Sequence, residues 1–124
     1  MNKKILMVDD DLDFCGAVQL LLESKAYEVV LAHDGKEGLE KARTVGPGLV
    51  ILDVMMPEMN GYDATLEIRK MENNPNKDLP IIALTASAFI EDREKIYTYG
   101  MSGYIIKPFN PSELYWKISP FLKK

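Results

Sequence analysis

Five short apolar runs, each continuous rather than alternating, constrain this chain more than any other feature: Ile5-Leu6-Met7-Val8, Val29-Val30-Leu31-Ala32, Leu49-Val50-Ile51-Leu52, Ile81-Ile82-Ala83-Leu84 and Tyr104-Ile105-Ile106. A strand with one face in water alternates apolar and polar residues, whereas a strand apolar at every position needs cover on both faces. The segments between the runs have helical period. In residues 12–25, Phe14, Ala17, Val18, Leu21 and Leu22 fall at i, i+3, i+4, i+7 and i+8 and form one stripe. Residues 35–44 give a shorter, glycine-weakened helix, 61–72 a third through Ala64, Ile68 and Met71, and 88–99 a fourth. A fifth begins at Asn110-Pro111-Ser112-Glu113, which supplies an N-cap, a proline at N1 and a glutamate able to reach back to the cap. Its stripe is Leu114, Ile118 and Phe121, but Pro120 removes the bond to the Trp116 carbonyl, so the regular helix is expected to stop near Ser119. This alternation predicts an α/β fold, a (βα)5 doubly wound parallel five-stranded sheet with strand order 2-1-3-4-5.

A length of 124 residues predicts one domain over 1–124. The net charge of −4 lacks the basic excess that phosphate-backbone contact needs, so direct nucleic-acid binding is not expected. Cys15, the only cysteine, cannot form an intrachain disulfide or a thiolate metal cage. No run approaches the ~18 apolar residues of a membrane span, and none suits a secretory leader. A cytoplasmic location without membrane insertion is the expectation. The one loop-rich stretch is residues 73–78.

In open parallel sheets ligands bind beyond the carboxyl ends of the strands, at the crevice where the strand order reverses. The residues just after the runs are therefore the candidates: Asp9 and Asp10 after the first, Asp53 after the third, Thr85 after the fourth and Lys107 after the fifth. Carboxylates gathered this closely call for a raised pKa or a bound cation. Mg2+ suits them because it takes one or two carboxylates, keeps waters and completes its shell with a phosphoryl oxygen. Lys107 and the Thr85 hydroxyl then offer a charge and a donor to the remaining phosphoryl oxygens. Each residue has a plainer reading. Asp11 suits a helix cap and Asp13 a solvated charge, and acidic residues gather at helix starts in general. Thr85 alone is a β-branched strand residue and Lys107 alone a surface lysine. Their joint placement at strand ends favours phosphoryl transfer to or from a carboxylate.

Over essentially its whole length the chain resembles the response-regulator receiver domain of two-component signalling. The resemblance rests on Ile5-Leu6-Met7-Val8-Asp9-Asp10-Asp11, Asp53-Val54-Met55-Met56-Pro57-Glu58-Met59-Asn60-Gly61, Pro80-Ile81-Ile82-Ala83-Leu84-Thr85-Ala86 and Tyr104-Ile105-Ile106-Lys107-Pro108-Phe109. It implies a flavodoxin-like fold whose strand order is the 2-1-3-4-5 given above, so the two expectations are not independent. It also implies that Asp53 accepts a phosphoryl group from a histidine kinase or histidine phosphotransfer protein. Asp10 and Asp53 would ligate Mg2+ directly, with the Met55 carbonyl as a third ligand and Asp9 acting through water. Thr85, Lys107 and backbone N–H groups near Met55 and Ala86 would hold the phosphoryl oxygens. Such a domain is a regulatory phosphoacceptor rather than an enzyme in its own right, assisting its own phosphorylation and dephosphorylation.

The same resemblance makes Tyr104 an aromatic switch that follows Thr85 inward and reshapes the face formed by the fourth helix, fifth strand and fifth helix, where a downstream protein docks. A weak homodimer on phosphorylation is a further implication. It marks Met55 and Ser87 as positions that tune acyl-phosphate lifetime, and makes the Lys107–Pro108 bond cis. Pro57 and Gly61 read as turn residues, the glycine admitting a positive φ at the start of the third helix. Trp116, off its helix's stripe, is a candidate exposed anchor, and His33 has no ligand spacing around it and receives no role. Met55, Met56 and Met59 read as gap-fillers or as adaptable docking groups. A haloacid-dehalogenase-type phosphatase with Asp9 as nucleophile is the competing enzyme reading, but Asp13 stands where that pattern has Thr or Val. A flavin or dinucleotide binder would need a glycine loop after the first strand, where three aspartates stand instead. A non-phosphorylated scaffold is a third reading, and none of the five key positions is missing. The 73–78 insertion and the run after it resemble receivers fused to hybrid histidine kinases, so the chain reads either as a single-domain regulator or as a receiver from a longer protein.

Overall fold

The computed structural model describes residues 3–55, 60–70, 79–86, 89–107 and 110–122. Five strands alternate with five helices: β1 (Lys4–Val8), α1 (Leu12–Ser24), β2 (Glu28–Ala32), α2 (Gly35–Val45), β3 (Leu49–Asp53), α3 (Gly61–Arg69), β4 (Ile81–Thr85), α4 (Ile90–Thr98), β5 (Gly103–Ile106) and α5 (Pro111–Leu122). The strands form one sheet in the order β2-β1-β3-β4-β5, and every pairing is parallel. β3 and β4 are buried at all positions, whereas the edge strands β2 and β5 carry the half-exposed ones. Continuous burial of the inner strands is the physical origin of their unalternating sequence.

Successive residues of each strand feed opposite faces. Leu6, Val8, Val50 and Leu52 join Ala64, Ile68 and Ile96 in a core beneath α2, α3 and α4. Ile5, Met7, Leu49 and Ile51 join Val18, Leu22, Leu114 and Ile118 beneath α1 and α5. Gly38 lets α2 lie close on β1, since a Cβ there would stand 2.8 Å from a methyl of Val8. Fully burying one of these aliphatic side chains contributes about 1.5–3 kcal/mol.

Three expectations need correction. Ala17 is exposed; the buried stripe of α1 is Cys15, Val18 and Leu22, with Phe14 and Leu21 half-buried. Helix α5 does not stop at Ser119 but runs through Pro120 to Leu122. The Ser119 hydroxyl donates to the Trp116 carbonyl at 3.1 Å, supplying the bond that the proline cannot, and Leu122 is buried. Gly61 does not have a positive φ; among the described glycines that conformation belongs to Gly46 and Gly100. The expected start of the fourth helix at residue 88 lies outside the described residues, as do Met56, Pro57, Met59, Met71, residues 73–78, Ser87, and Pro108 with its cis bond.

The caps of α1 and α5 are those that their sequences predict. Asp11 caps α1 by accepting from the Phe14 N–H at 3.1 Å. Asn110 accepts from the Glu113 N–H at 2.9 Å, and the Glu113 carboxylate returns to the Asn110 amide at 2.9 Å. No helix among the described residues is long and apolar enough to cross a membrane.

Candidate functional site

The order of the sheet reverses at β1, which lies between β2 and β3. The crevice at the carboxyl ends of β1 and β3 is where a doubly wound sheet binds its ligands. Asp9 and Asp10 follow β1 there, and Asp53 is the last residue of β3, paired with Leu84. Asp53 and Thr85 are thus strand termini rather than residues just beyond the strands, a one-residue difference from the sequence reading.

Asp9 and Asp53 are held alike. One Asp9 oxygen accepts from the Asp11 N–H at 3.0 Å, and one Asp53 oxygen accepts from the Met55 N–H at 2.9 Å. The second oxygen of each faces the Lys107 ammonium, at 3.1 Å for Asp9 and 3.0 Å for Asp53. Lys107 reaches them because its own N–H donates to the Thr85 carbonyl at 2.7 Å, which ties the end of β5 to β4. Both aspartates are buried, whereas Asp10 is exposed.

Burial and the neighbouring Asp53 charge push the Asp9 carboxyl above its ordinary range, against the pull of the Asp11 N–H and Lys107. Burial pulls the Lys107 ammonium down, but its hydrogen bonds to Asp53 and Asp9 outweigh that, and its pKa is raised. The ammonium therefore acts as a permanent internal counter-charge. Beneath the site the Cys15 thiol donates to the Asp9 carbonyl at 3.5 Å. Its pKa is pushed up to about 12, first by burial and then by the Asp9 charge, which leaves it inert as a nucleophile.

One carboxylate oxygen from each of Asp9, Asp10 and Asp53 lies within 4.8 Å of the others. An all-oxygen set of carboxylates suits a hard divalent cation, so these residues fit Mg2+. Anions would be repelled from the aspartates unless a cation stood between.

Thr85 is buried at the end of β4. Tyr104 is half-buried against the core beneath α2–α4, and its ring meets that of Tyr97 edge to face, centroids 6.4 Å apart at 78°. Nothing in the sequence foreshadows the Tyr97 contact, because it depends on how α4 lies across β5. A cleft of about 490 Å3 opens beside the two rings, lined also by Lys117 and Phe121 of α5. Phe89, Ile90 and Ile106 are exposed on the neighbouring elements, Met55 stands exposed beside the acidic crevice, and Trp116 is exposed on α5. The His33 backbone N–H donates to the Glu37 carboxylate at 2.6 Å.

The family model described as the response regulator receiver domain matches residues 5–119. The chain is 41% identical over 123 residues to a probable transcriptional regulator, ycf27, of Cyanophora paradoxa, covering 99% of this chain and 49% of that protein. Among solved structures it is similar to the chemotaxis response regulator CheY4 of Vibrio cholerae, with TM-score 0.89, 33% identity and coverage of 98% of this chain and 99% of that one. It is also similar to the receiver domain of the sensor histidine kinase PA1611 of Pseudomonas aeruginosa, described with a magnesium ion coordinated in its active-site cleft, with TM-score 0.84, 34% identity and 98% of each chain covered. The chain spans about half the length of the curated relatives it matches.

Proposed function

The chain belongs to the response regulator receiver domain family, and on that footing we propose that it is a phosphoacceptor switch whose acceptor is Asp53. The observation that carries this is the meeting of Asp9, Asp10 and Asp53 with the Lys107 ammonium at the carboxyl edge of the sheet. The donor is a phosphohistidine of a kinase or phosphotransfer protein. An Asp53 oxygen forms a bond to phosphorus as the P–N bond breaks, and the electron pair stays with the departing imidazole. Such transfers pass through a loose transition state, so alignment and charge neutralisation supply most of the catalysis. A carboxylate needs no general base.

Asp9, Asp10 and Asp53, with the Met55 carbonyl, would hold Mg2+, which when bound neutralises the phosphoryl oxygens. Lys107 and Thr85 take the oxygens that remain. Such charge-assisted contacts are worth about 1.5–3 kcal/mol each, and since Lys107 already pairs with Asp9 and Asp53, only what exceeds those bonds, with the new Thr85 contact, counts toward the ~5.5 kcal/mol needed to move an equilibrium from 1:99 to 99:1. Thr85 and Tyr104 relay the change to the face of α4, β5 and α5, where the cleft beside Tyr104 supports docking of a downstream protein or a weak homodimer. Met55 and Ser87 offer no acid or amide to orient an attacking water, which favours a slow loss of the phosphoryl group. The setting is cytoplasmic.

Incubation with Mg2+ and acetyl phosphate is expected to add one phosphoryl mass, and Asp53→Asn to abolish it. Equal labelling of that variant would move the nucleophile to Asp9 or Asp10 and revive the phosphatase reading.

A further inference from the structure

We infer that Gly61 is a positioning residue for Asp53: having no Cβ, it lets the start of α3 press on the Asp53–Val54 peptide and so sets where the Asp53 carboxylate stands. This rests on the reading of Asp53 as phosphoacceptor.

Gly61 is not needed for its torsion, since its φ is not in the left-handed region. It is needed for its space. A Cβ there would lie 2.5 Å from the Asp53 carbonyl oxygen, 2.8 Å from Val54 Cα and 3.0 Å from the Asp53 carbonyl carbon. All of these are backbone atoms, which cannot rotate aside. At Gly38 the nearest atoms all belong to the Val8 side chain, and a Cβ at Gly16 would meet nothing within 4 Å.

The contact is held from both sides. The Gly61 N–H approaches the Val54 carbonyl at 3.4 Å, and the buried Thr65 hydroxyl donates to the Gly61 carbonyl at 2.8 Å. Asn60 fixes the same helix start by accepting from the Asp63 N–H at 3.0 Å. Opposite α3, the Val54 N–H donates to the Leu84 carbonyl at 3.0 Å. The Asp53–Val54 peptide is thus clamped between α3 and β4. Its displacement would carry along the Asp53 Cα and the Met55 N–H that orients the carboxylate.

The test is the maximal rate of phosphoryl uptake from acetyl phosphate at saturating Mg2+, measured below the melting temperature of every variant. Because a shift of ~1 Å in a reacting group can cost ~100-fold, Gly61→Ala is expected to lose ~10- to 100-fold in that rate. Thr65→Val, which removes the hydroxyl's bond to the Gly61 carbonyl without adding bulk there, loses less in the same direction and stands as the test if Gly61→Ala does not fold. Ile118→Val, in the core under α1 and α5, reports what destabilisation alone does and is expected to react near the wild-type rate. The inference alone is overturned if wild type is labelled on Asp53 while the foldable variants react at its rate, or if Ile118→Val matches their loss. Label that persists in Asp53→Asn overturns both this inference and the reading beneath it.

Discussion

Ala26 holds φ at 71°, a left-handed conformation that its side chain resists, whereas Gly46 and Gly100 take such angles without cost. It sits at the end of α1, where the Tyr27 N–H reaches back to the Leu22 carbonyl at 3.1 Å in a Schellman-like close. Ala26→Gly is expected to stabilise the fold by about 1 kcal/mol or somewhat less, the relief of strain being partly offset by a more flexible unfolded chain. Urea melts would check it. No sequence signal marks this helix end, because an alanine is an ordinary helix former and only the geometry reveals its strain. Glu37 makes a second prediction at this scale. The His33 N–H, which it accepts, and Lys41, 3.3 Å away, hold its carboxyl below the ordinary 4.5. The folded protein therefore binds fewer protons there than the unfolded chain, so the stabilisation is present above the ordinary carboxylate range and lost as pH falls through it. Glu37→Gln should destabilise the fold at pH 7, by an amount within the ~0.2–1 kcal/mol of exposed ion pairs as read from urea melts, and make no difference in acid.

Among the elements, α5 shows a helix reading overruled by one hydroxyl. The proline's missing N–H is visible in the sequence, but the rotamer that lets Ser119 cap the Trp116 carbonyl is a property of the folded helix. Ser119→Ala is expected to cost about 0.5–1.5 kcal/mol and to increase hydrogen exchange toward Leu122. In α1 the period was legible and its phase was not, since Ala17 and Cys15 are similar in size and hydrophobicity and only the placement of the helix over β1 decides between them. Helix α4 has a single buried residue, Ile96, in its later half. Its far end is tied to α3, where the Arg69 guanidinium donates to the Gly100 carbonyl at 3.0 and 2.8 Å and the Tyr62 ring packs against that of Tyr99, tilted at 47° with centroids 5.1 Å apart. None of these ties has a sequence pattern, because each joins elements far apart along the chain.

For the whole molecule, the fold class was legible because strands covered on both faces must be apolar throughout. Asp9, Asp53 and Lys107 were legible because each stands at a strand's carboxyl end, where a parallel sheet binds. The sharing of Lys107 between two carboxylates was not legible, nor the pressure of Gly61 on the β3 backbone, since both depend on distances across elements. Mg2+ at ~100 times its Kd is expected to stabilise the fold by about 2.7 kcal/mol if it binds only the native state, and Asp10→Ala to remove most of that gain. Thermal melts across a Mg2+ titration would check both. The sharing of Lys107 also bears on synthesis. The ammonium lies 98 residues along the chain from Asp9 and 54 from Asp53, so a nascent polypeptide produces its acidic crevice long before the counter-charge leaves the ribosome. Until β5 docks at the edge of the sheet, the carboxylates repel one another with no internal cation between them. The residue that follows β5 is therefore the one that neutralises the carboxylate that follows β1, and a chain interrupted before Lys107 carries its own electrostatic mark of incompleteness.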